Sequence, residues 1–289
     1  MIMNTFSRIR RRFSLPALFA LGVMTAMLAA PLSAESAAPA KGTKPEQSGK
    51  AGAPRPTVVL VHGAFADASS WNGVARRLRG QGFAVTAIAN PLRGVASDAR
   101  YTARVLDGIS GPVVLVGHSY GGSVISAAAV GKSNVKALVF VSAFAPDVGE
   151  SCASLSGKFP GSTLGAALAS PVPQDGGAAD LYIQQDRFWQ QFAADVQEGD
   201  ALLMAVGQRP ITDAALNEPT GEIGSAWKTL PSYFVYGTGD RNIPPAALAW
   251  MAERANSRGT VAIPSASHVP MVSHPDAVTK LIVQAARGG

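Results

Sequence analysis

The sequence predicts an α/β fold, a mainly parallel six-stranded sheet flanked by helices, with a helical insertion late in the chain. Three observations predict it. Six short apolar runs, each near-continuous rather than alternating, read as strands buried on both faces. Helix-like patterns separate them, and strands alternating with helices imply a parallel sheet. A Gly-x-Ser-x-Gly pattern, residues 117–121, stands between a strand-like run and a small-residue helix-like run.

In chain order, the strand-like runs are residues 58–61, 83–88, 113–116, 137–141, 233–236 and 260–263. Between the first two, Trp71, Val74, Ala75 and Leu78 share a helical face. Tyr101, Val105, Leu106 and Ile109 share the next. Residues 123–130 continue from the serine motif as a third helix. Ala247, Leu248, Met251, Ala252 and Ala255 form a stripe that Pro244 and Pro245 open, suiting a first helical turn. Residues 277–286 make the last helix.

The alternation breaks from about residue 147 to 229, where no convincing strand is read. That stretch holds Tyr182, Phe188, Trp189, Phe192, Leu202, Leu203, Met204 and Trp227 among many prolines and glycines. It is expected to be a helical cap. Ligands in such sheets bind beyond the carboxyl ends of the strands, where an insertion would roof them.

Residues 1–34 have the pattern of a secretory signal peptide. Arg8, Arg10, Arg11 and Arg12 precede an apolar run over residues 15–30, and Pro31, Leu32, Ser33 and Ala34 offer a small-residue cleavage site. The run is shorter than the ~20 residues of a spanning helix. Arg10, Arg11, Arg12 and Phe13 loosely resemble a twin-arginine signal without its polar lead-in. Residues 35–56 are rich in Ala, Pro, Gly, Lys and Ser and are expected to be a flexible linker. The folded domain is expected over residues 57–289. The mature protein is expected to be exported, periplasmic or secreted, with no stable membrane insertion.

The formal charge of +6 overstates the mature chain, because four of those charges are the leader arginines and residues 1–34 hold no acid; removing them leaves +2. No basic block remains, so nucleic acid is not an expected partner. Cys152 is the only cysteine. An intrachain disulfide or a cysteine metal cluster is thereby excluded, and nothing nearby would activate Cys152 as a nucleophile.

Serine needs a base, a group that orients the base, and donors for the developing oxyanion. A sharp strand-to-helix turn exposes Ser119, and flanking glycines avoid collisions there. Of the four histidines, His118 adjoins Ser119 but points away and reads as packing. His62 suits an oxyanion loop. His274 precedes Pro275 at a helix start and reads as structural. His268 follows the last strand, where it can reach Ser119. Asp240 ends the preceding strand and fits the chain order Ser, Asp, His. It stands too early to cap the helix that opens at Pro244, for which Asn242 is better placed. The oxyanion donors are expected to be the backbone N–H groups of Ala64 and Tyr120. Asp67 reads as a helix cap.

These residues resemble the α/β-hydrolase superfamily, and more narrowly the group of plant methylesterases, hydroxynitrile lyases and small bacterial esterases. The resemblance runs over about residues 57–286. It is carried by Val59-Leu60-Val61-His62-Gly63-Ala64, by Val116-Gly117-His118-Ser119-Tyr120-Gly121-Gly122 and by Val141-Ser142-Ala143-Phe144-Ala145-Pro146. Thr238-Gly239-Asp240-Arg241-Asn242-Ile243-Pro244 and Ser267-His268 with Pro270-Met271 complete it. It implies the same triad and oxyanion hole, a cap over an apolar acyl or alcohol pocket, and neither cofactor nor metal. Phe65, Phe144, Trp189 and Val269 are expected to line that pocket. The lyases carry a lysine after the histidine, where it stabilises cyanide; here Val269 takes its place.

The expectation is an exported serine carboxylesterase acting on a small-molecule ester of small to medium apolar groups. A lactonase or amidase would use the same residues. A cofactor-free perhydrolase or haloperoxidase, a hydroxynitrile lyase-like enzyme and a hydrolase-fold ligand-binding protein are the other classes. No motif sets an oligomeric state.

Overall fold

A computed structural model describes residues 54–222 and 224–288. The expected signal peptide lies outside the described residues, as does nearly all of the expected linker.

The first half of the chain runs β1 (Thr57–Val61), α1 (Asn72–Gly80), β2 (Val85–Ile88), α2 (Val95–Asp107), β3 (Val113–His118), α3 (Gly121–Ala128) and β4 (Val135–Val141). A long segment then holds α4 (Cys152–Ser156), α5 (Leu164–Ala167), β5 (Val172–Pro173), β6 (Ala179–Leu181), α6 (Gln185–Phe192), α7 (Glu198–Gly207), β7 (Ile211–Thr212) and α8 (Asp213–Asn217). The core resumes with β8 (Ser232–Gly237), α9 (Pro245–Arg254), β9 (Gly259–Ile263), α10 (Pro270–Ser273) and α11 (Pro275–Arg287).

The six expected strands form one sheet in the order β2-β1-β3-β4-β8-β9, with every pairing parallel. Parallel neighbours need crossovers, and the amphipathic helices supply them. Helices α2 and α3 pack together, as do α1, α10 and α11, and both groups cover the central strands. Strands β1, β3 and β8 are buried over nearly their whole length. The two edges differ from expectation. Strands β2 and β9 keep exposed residues, Thr86 and Ala87 in one and Thr260 to Ala262 in the other. An edge strand has one neighbour and incomplete helical cover, so a continuous apolar run there need not be fully buried.

Register aligns the carboxyl ends. Val61 pairs with Gly117, His118 with Val141, Val141 with Val235, and Gly237 with Ile263. The loops after β1, β3, β4, β8 and β9 therefore emerge side by side. The order reverses between β1 and β3, and that switch point is where open α/β sheets hold ligands.

The segment between β4 and β8 corrects one expectation, since it is not purely helical. Strands β5, β6 and β7 form a small antiparallel sheet, with Val172 opposite Asp180 and Asp180 opposite Thr212. This sheet is tied to the core: Thr212 N–H donates to the Leu92 carbonyl at 3.2 Å, and Arg93 pairs with Asp180 at 2.5 Å.

Candidate active site

Ser119 occupies the turn between β3 and α3 with φ at +53°. A non-glycine residue in that region stores roughly 1–3 kcal/mol of strain and persists only where neighbours hold it. Here Ser119 N–H donates to the Val141 carbonyl at 3.2 Å, and the Ser119 carbonyl accepts from Gly122 N–H at 2.9 Å and Phe144 N–H at 3.2 Å. The hydroxyl is thereby presented above the sheet.

His268 meets it from the loop after β9. Its Nε2 lies 2.9 Å from Ser119 Oγ, and its Nδ1 lies 2.7 Å from Asp240 Oδ2. The other Asp240 oxygen accepts the Asn242 and Ile243 N–H groups at 2.8 and 3.0 Å. All three side chains are buried. A carboxylate out of water with both oxygens engaged keeps His268 as an Nδ1–H tautomer, so Nε2 is free to accept the serine proton. Close packing at Gly237 brings the acid and histidine loops together. A Cβ there would fall 2.1 Å from the Ala266 carbonyl oxygen.

Two neighbouring histidines brace this arrangement. His118 Nε2 donates to the His268 carbonyl at 2.9 Å, and the two rings stand 4.8 Å apart. Burial, reinforced by the adjacent His268, pushes His118 well below the usual imidazole range. His62 bonds the Gly63 carbonyl through Nδ1 at 2.9 Å and accepts Asn90 N–H on Nε2 at 3.0 Å. Burial lowers its pKa as well. His274 pairs with Asp195 at 3.2 Å. Asp67 caps the turn over Ala68–Trp71 by accepting Ser69 N–H at 2.7 Å.

The loop after β1 lies against the serine turn. A Cβ on Gly63 would stand 2.6 Å from Ser119 Cβ, which only glycine permits. The N–H groups of Ala64 and Tyr120 have no hydrogen-bond partner among the described residues, whereas the adjacent Phe65 N–H is committed to the Arg209 carbonyl at 2.9 Å. Two unpartnered backbone donors next to a buried serine are an arrangement that can hold a developing negative charge.

A cavity of about 350 Å³ opens beside Ser119, lined by Phe65, Tyr120, Phe144, Leu164, Leu168 and Ile243 among others. No charged side chain borders it among the described residues. Two expected pocket residues are corrected. Trp189 does not line the cavity; its indole N–H donates to the Val196 carbonyl at 3.0 Å, which turns the ring toward the α6–α7 connection. Phe188, Gln191 and Phe192 occupy the buried face of α6 instead. Val269 is fully buried and does not line the cavity. Cys152 is buried as expected and also borders the cavity, with burial pushing its thiol up to about 12.

Some site residues escaped the sequence reading. Phe192 presents its ring to His268, with centroids 5.1 Å apart. Asp98 accepts the Tyr120 hydroxyl at 2.9 Å. The i, i+3, i+4 spacing of Phe188, Gln191 and Phe192 was a usable signal, whereas Asp98 looked like any acid in a first helical turn. Asn242 does not cap α9, which begins behind Pro244 without a side-chain cap.

Comparison with known proteins agrees with this architecture. The chain is 26% identical over 251 residues to an alpha/beta hydrolase of Aspergillus novofumigatus, covering 80% of this chain and 97% of that one. It is 25% identical over 238 residues to an alpha-hydroxynitrile lyase of Arabidopsis thaliana, covering 75% and 92%. The crystal structure of polyneuridine aldehyde esterase superposes with a TM-score of 0.69 at 20% identity, covering 80% and 99%. Residues 58–281 match the model of the alpha/beta hydrolase family, and the chain belongs to that family.

Proposed function

We propose that this protein is a serine carboxylesterase that cleaves neutral esters of small to medium apolar groups through an acyl-enzyme. The observation that carries the reading is the pair of unpartnered N–H groups, Ala64 and Tyr120, beside a serine already bonded to an Asp-oriented histidine.

In this mechanism Ser119 Oγ attacks the ester carbonyl carbon while His268 Nε2 takes its proton. The carbonyl electron pair moves onto oxygen, where the Ala64 and Tyr120 N–H groups hold it; one such donor is worth roughly 10²–10³ in rate. Collapse of the intermediate expels the alcohol, which takes the proton from His268. Water then attacks the acyl group, gives its proton to His268, and releases the acid as Ser119 regains its hydrogen. Asp240 holds the Nδ1–H of His268 and stabilises the imidazolium. The segment between β4 and β8 acts as a cap over an apolar cavity that no charged side chain among the described residues borders, which favours neutral substrates.

The lyase alternative is weaker, because Val269 supplies no cation for cyanide. Export rests on the leader pattern of residues 1–34. N-terminal sequencing of the secreted or periplasmic protein should begin near Glu35.

The test of function is turnover of nitrophenyl esters of graded chain length by the wild type and by Ser119→Ala. The substitution should cost roughly 10⁴–10⁶ in kcat. Wild-type activity in Ser119→Ala would overturn the mechanism. Cyanide release from mandelonitrile would point to the lyase instead.

A further inference from the structure

Asn242 holds the triad acid through its main chain, and its side chain has a separate position. It is 3% exposed and borders the cavity that contains Ser119. Its amide is oriented by Gln191 of α6. The Arg241 carbonyl can only accept, so the Gln191 atom 2.9 Å from it is Nε2. Gln191 Oε1 accepts the Thr163 hydroxyl at 2.8 Å, which fits the same orientation. The second hydrogen on Nε2 goes to Asn242 Oδ1 at 2.7 Å. With Oδ1 taken by a donor, the free end of the Asn242 amide is Nδ2.

That Nδ2 has no hydrogen-bond partner among the described residues, yet it is not one of the sealed, unpartnered polar atoms. It therefore keeps some exposure, and the open space that Asn242 borders is the cavity. A nearly buried donor facing apolar walls is costly to leave unmade, so the site favours a ligand that carries an acceptor at this point. The acceptor should be neutral, since no cation among the described residues borders the cavity to balance a carboxylate.

We propose that the Asn242 amide N–H is a specificity subsite for a second, neutral oxygen acceptor of the substrate, an ether, ketone or hydroxyl oxygen apart from the scissile ester. Gln191 is the positioning residue that aims it. The inference rests on the esterase reading for its substrate class, while the subsite itself rests on the amide geometry.

The test uses nitrophenyl esters with six-atom acyl chains in which one CH₂, from the fourth atom outward, is replaced by an ether oxygen at each position in turn. In the wild type, one oxygen position should raise kcat/KM about five- to tenfold over the all-carbon ester, the weight of one neutral hydrogen bond. In Asn242→Ala and in Gln191→Leu that ratio should fall to one or below, because a desolvated ether then has no partner. The ratio is taken within each variant, so a general loss of activity cancels. Absence of any preferred position in the wild type, or its survival in Asn242→Ala, would overturn the proposal. A second measurement separates this from failure of the esterase reading. Calorimetry on Ser119→Ala compares unreactive ketones of the same chains, with and without the ether oxygen. If no ester is turned over at all, the hydrolase reading falls while the ketone pair still reports on Asn242. A preference for the ether ketone that Asn242→Ala removes supports the subsite, and equal binding overturns it.

Discussion

The Tyr120 hydroxyl donates to the Asp98 carboxylate at 2.9 Å, and both side chains are sealed from solvent. Tyr120 also supplies a backbone N–H beside Ser119, so pinning its ring steadies the turn that aims the donor. Asp98 accepts the Arg93 N–H at 3.2 Å, and the Arg93 guanidinium pairs with Asp180 of the small sheet. Tyr120→Phe leaves a buried carboxylate short of its best donor. It should lower unfolding free energy by about 1–3 kcal/mol in urea denaturation. No loss would mean that water or another group replaces the hydroxyl.

Asp98 also links stability to pH. Burial raises its carboxyl above the usual range, and the donated hydrogen bonds only partly offset this. The folded state therefore holds the proton more tightly than the unfolded chain. The stability this adds is fully present below the unfolded value of about 3.9 and is lost as pH rises through the folded value. Urea midpoints measured upward from about pH 4 should decline for the wild type relative to Asp98→Asn, whose amide does not titrate in this range. Parallel curves for the two proteins would exclude the linkage.

Ser119, Asp240 and His268 were legible because each ends or follows a strand within a short local motif, and parallel register then aligns the strand ends. The six core strands were legible for the same local reason. The small sheet was not, since strands of two or three residues hold too few positions to show alternation. Trp189 was misplaced because aromatic content says nothing about which helical face is buried against the core. Phe188 and Phe192, one helical turn apart, take that face and leave the indole to bond Val196. Asn242 looked like a helix cap; its partner Gln191 lies 51 residues away, and only the packing of α6 against the acid loop reveals it.

Cys152 borders the cavity without being poised to react. Its thiol is pushed up to about 12 by burial, and the Ser123 hydroxyl lies 3.2 Å away. At pH 8 its thiolate population should be about 10³-fold below that of a free cysteine. A disulfide reagent should detect no fast thiol in the native protein and one after denaturation. Rapid native labelling that abolishes ester turnover would show a thiol far more accessible than its packing implies.

Asp240→Asn isolates the orienting role of the acid. Oδ1 can still accept the Asn242 and Ile243 N–H groups, so those two bonds fix which way the new amide faces. Its NH₂ must then point at His268 Nδ1, where the carboxylate oxygen had been 2.7 Å away. A donor facing Nδ1 forces the imidazole proton onto Nε2, the nitrogen that must accept from Ser119. The histidine stays in place in the wrong tautomer. Steady-state kinetics should show kcat reduced by about 10⁴-fold, with KM changed far less and circular dichroism unaltered. A loss of tenfold or less would mean that His268 does not depend on Asp240 for its tautomer.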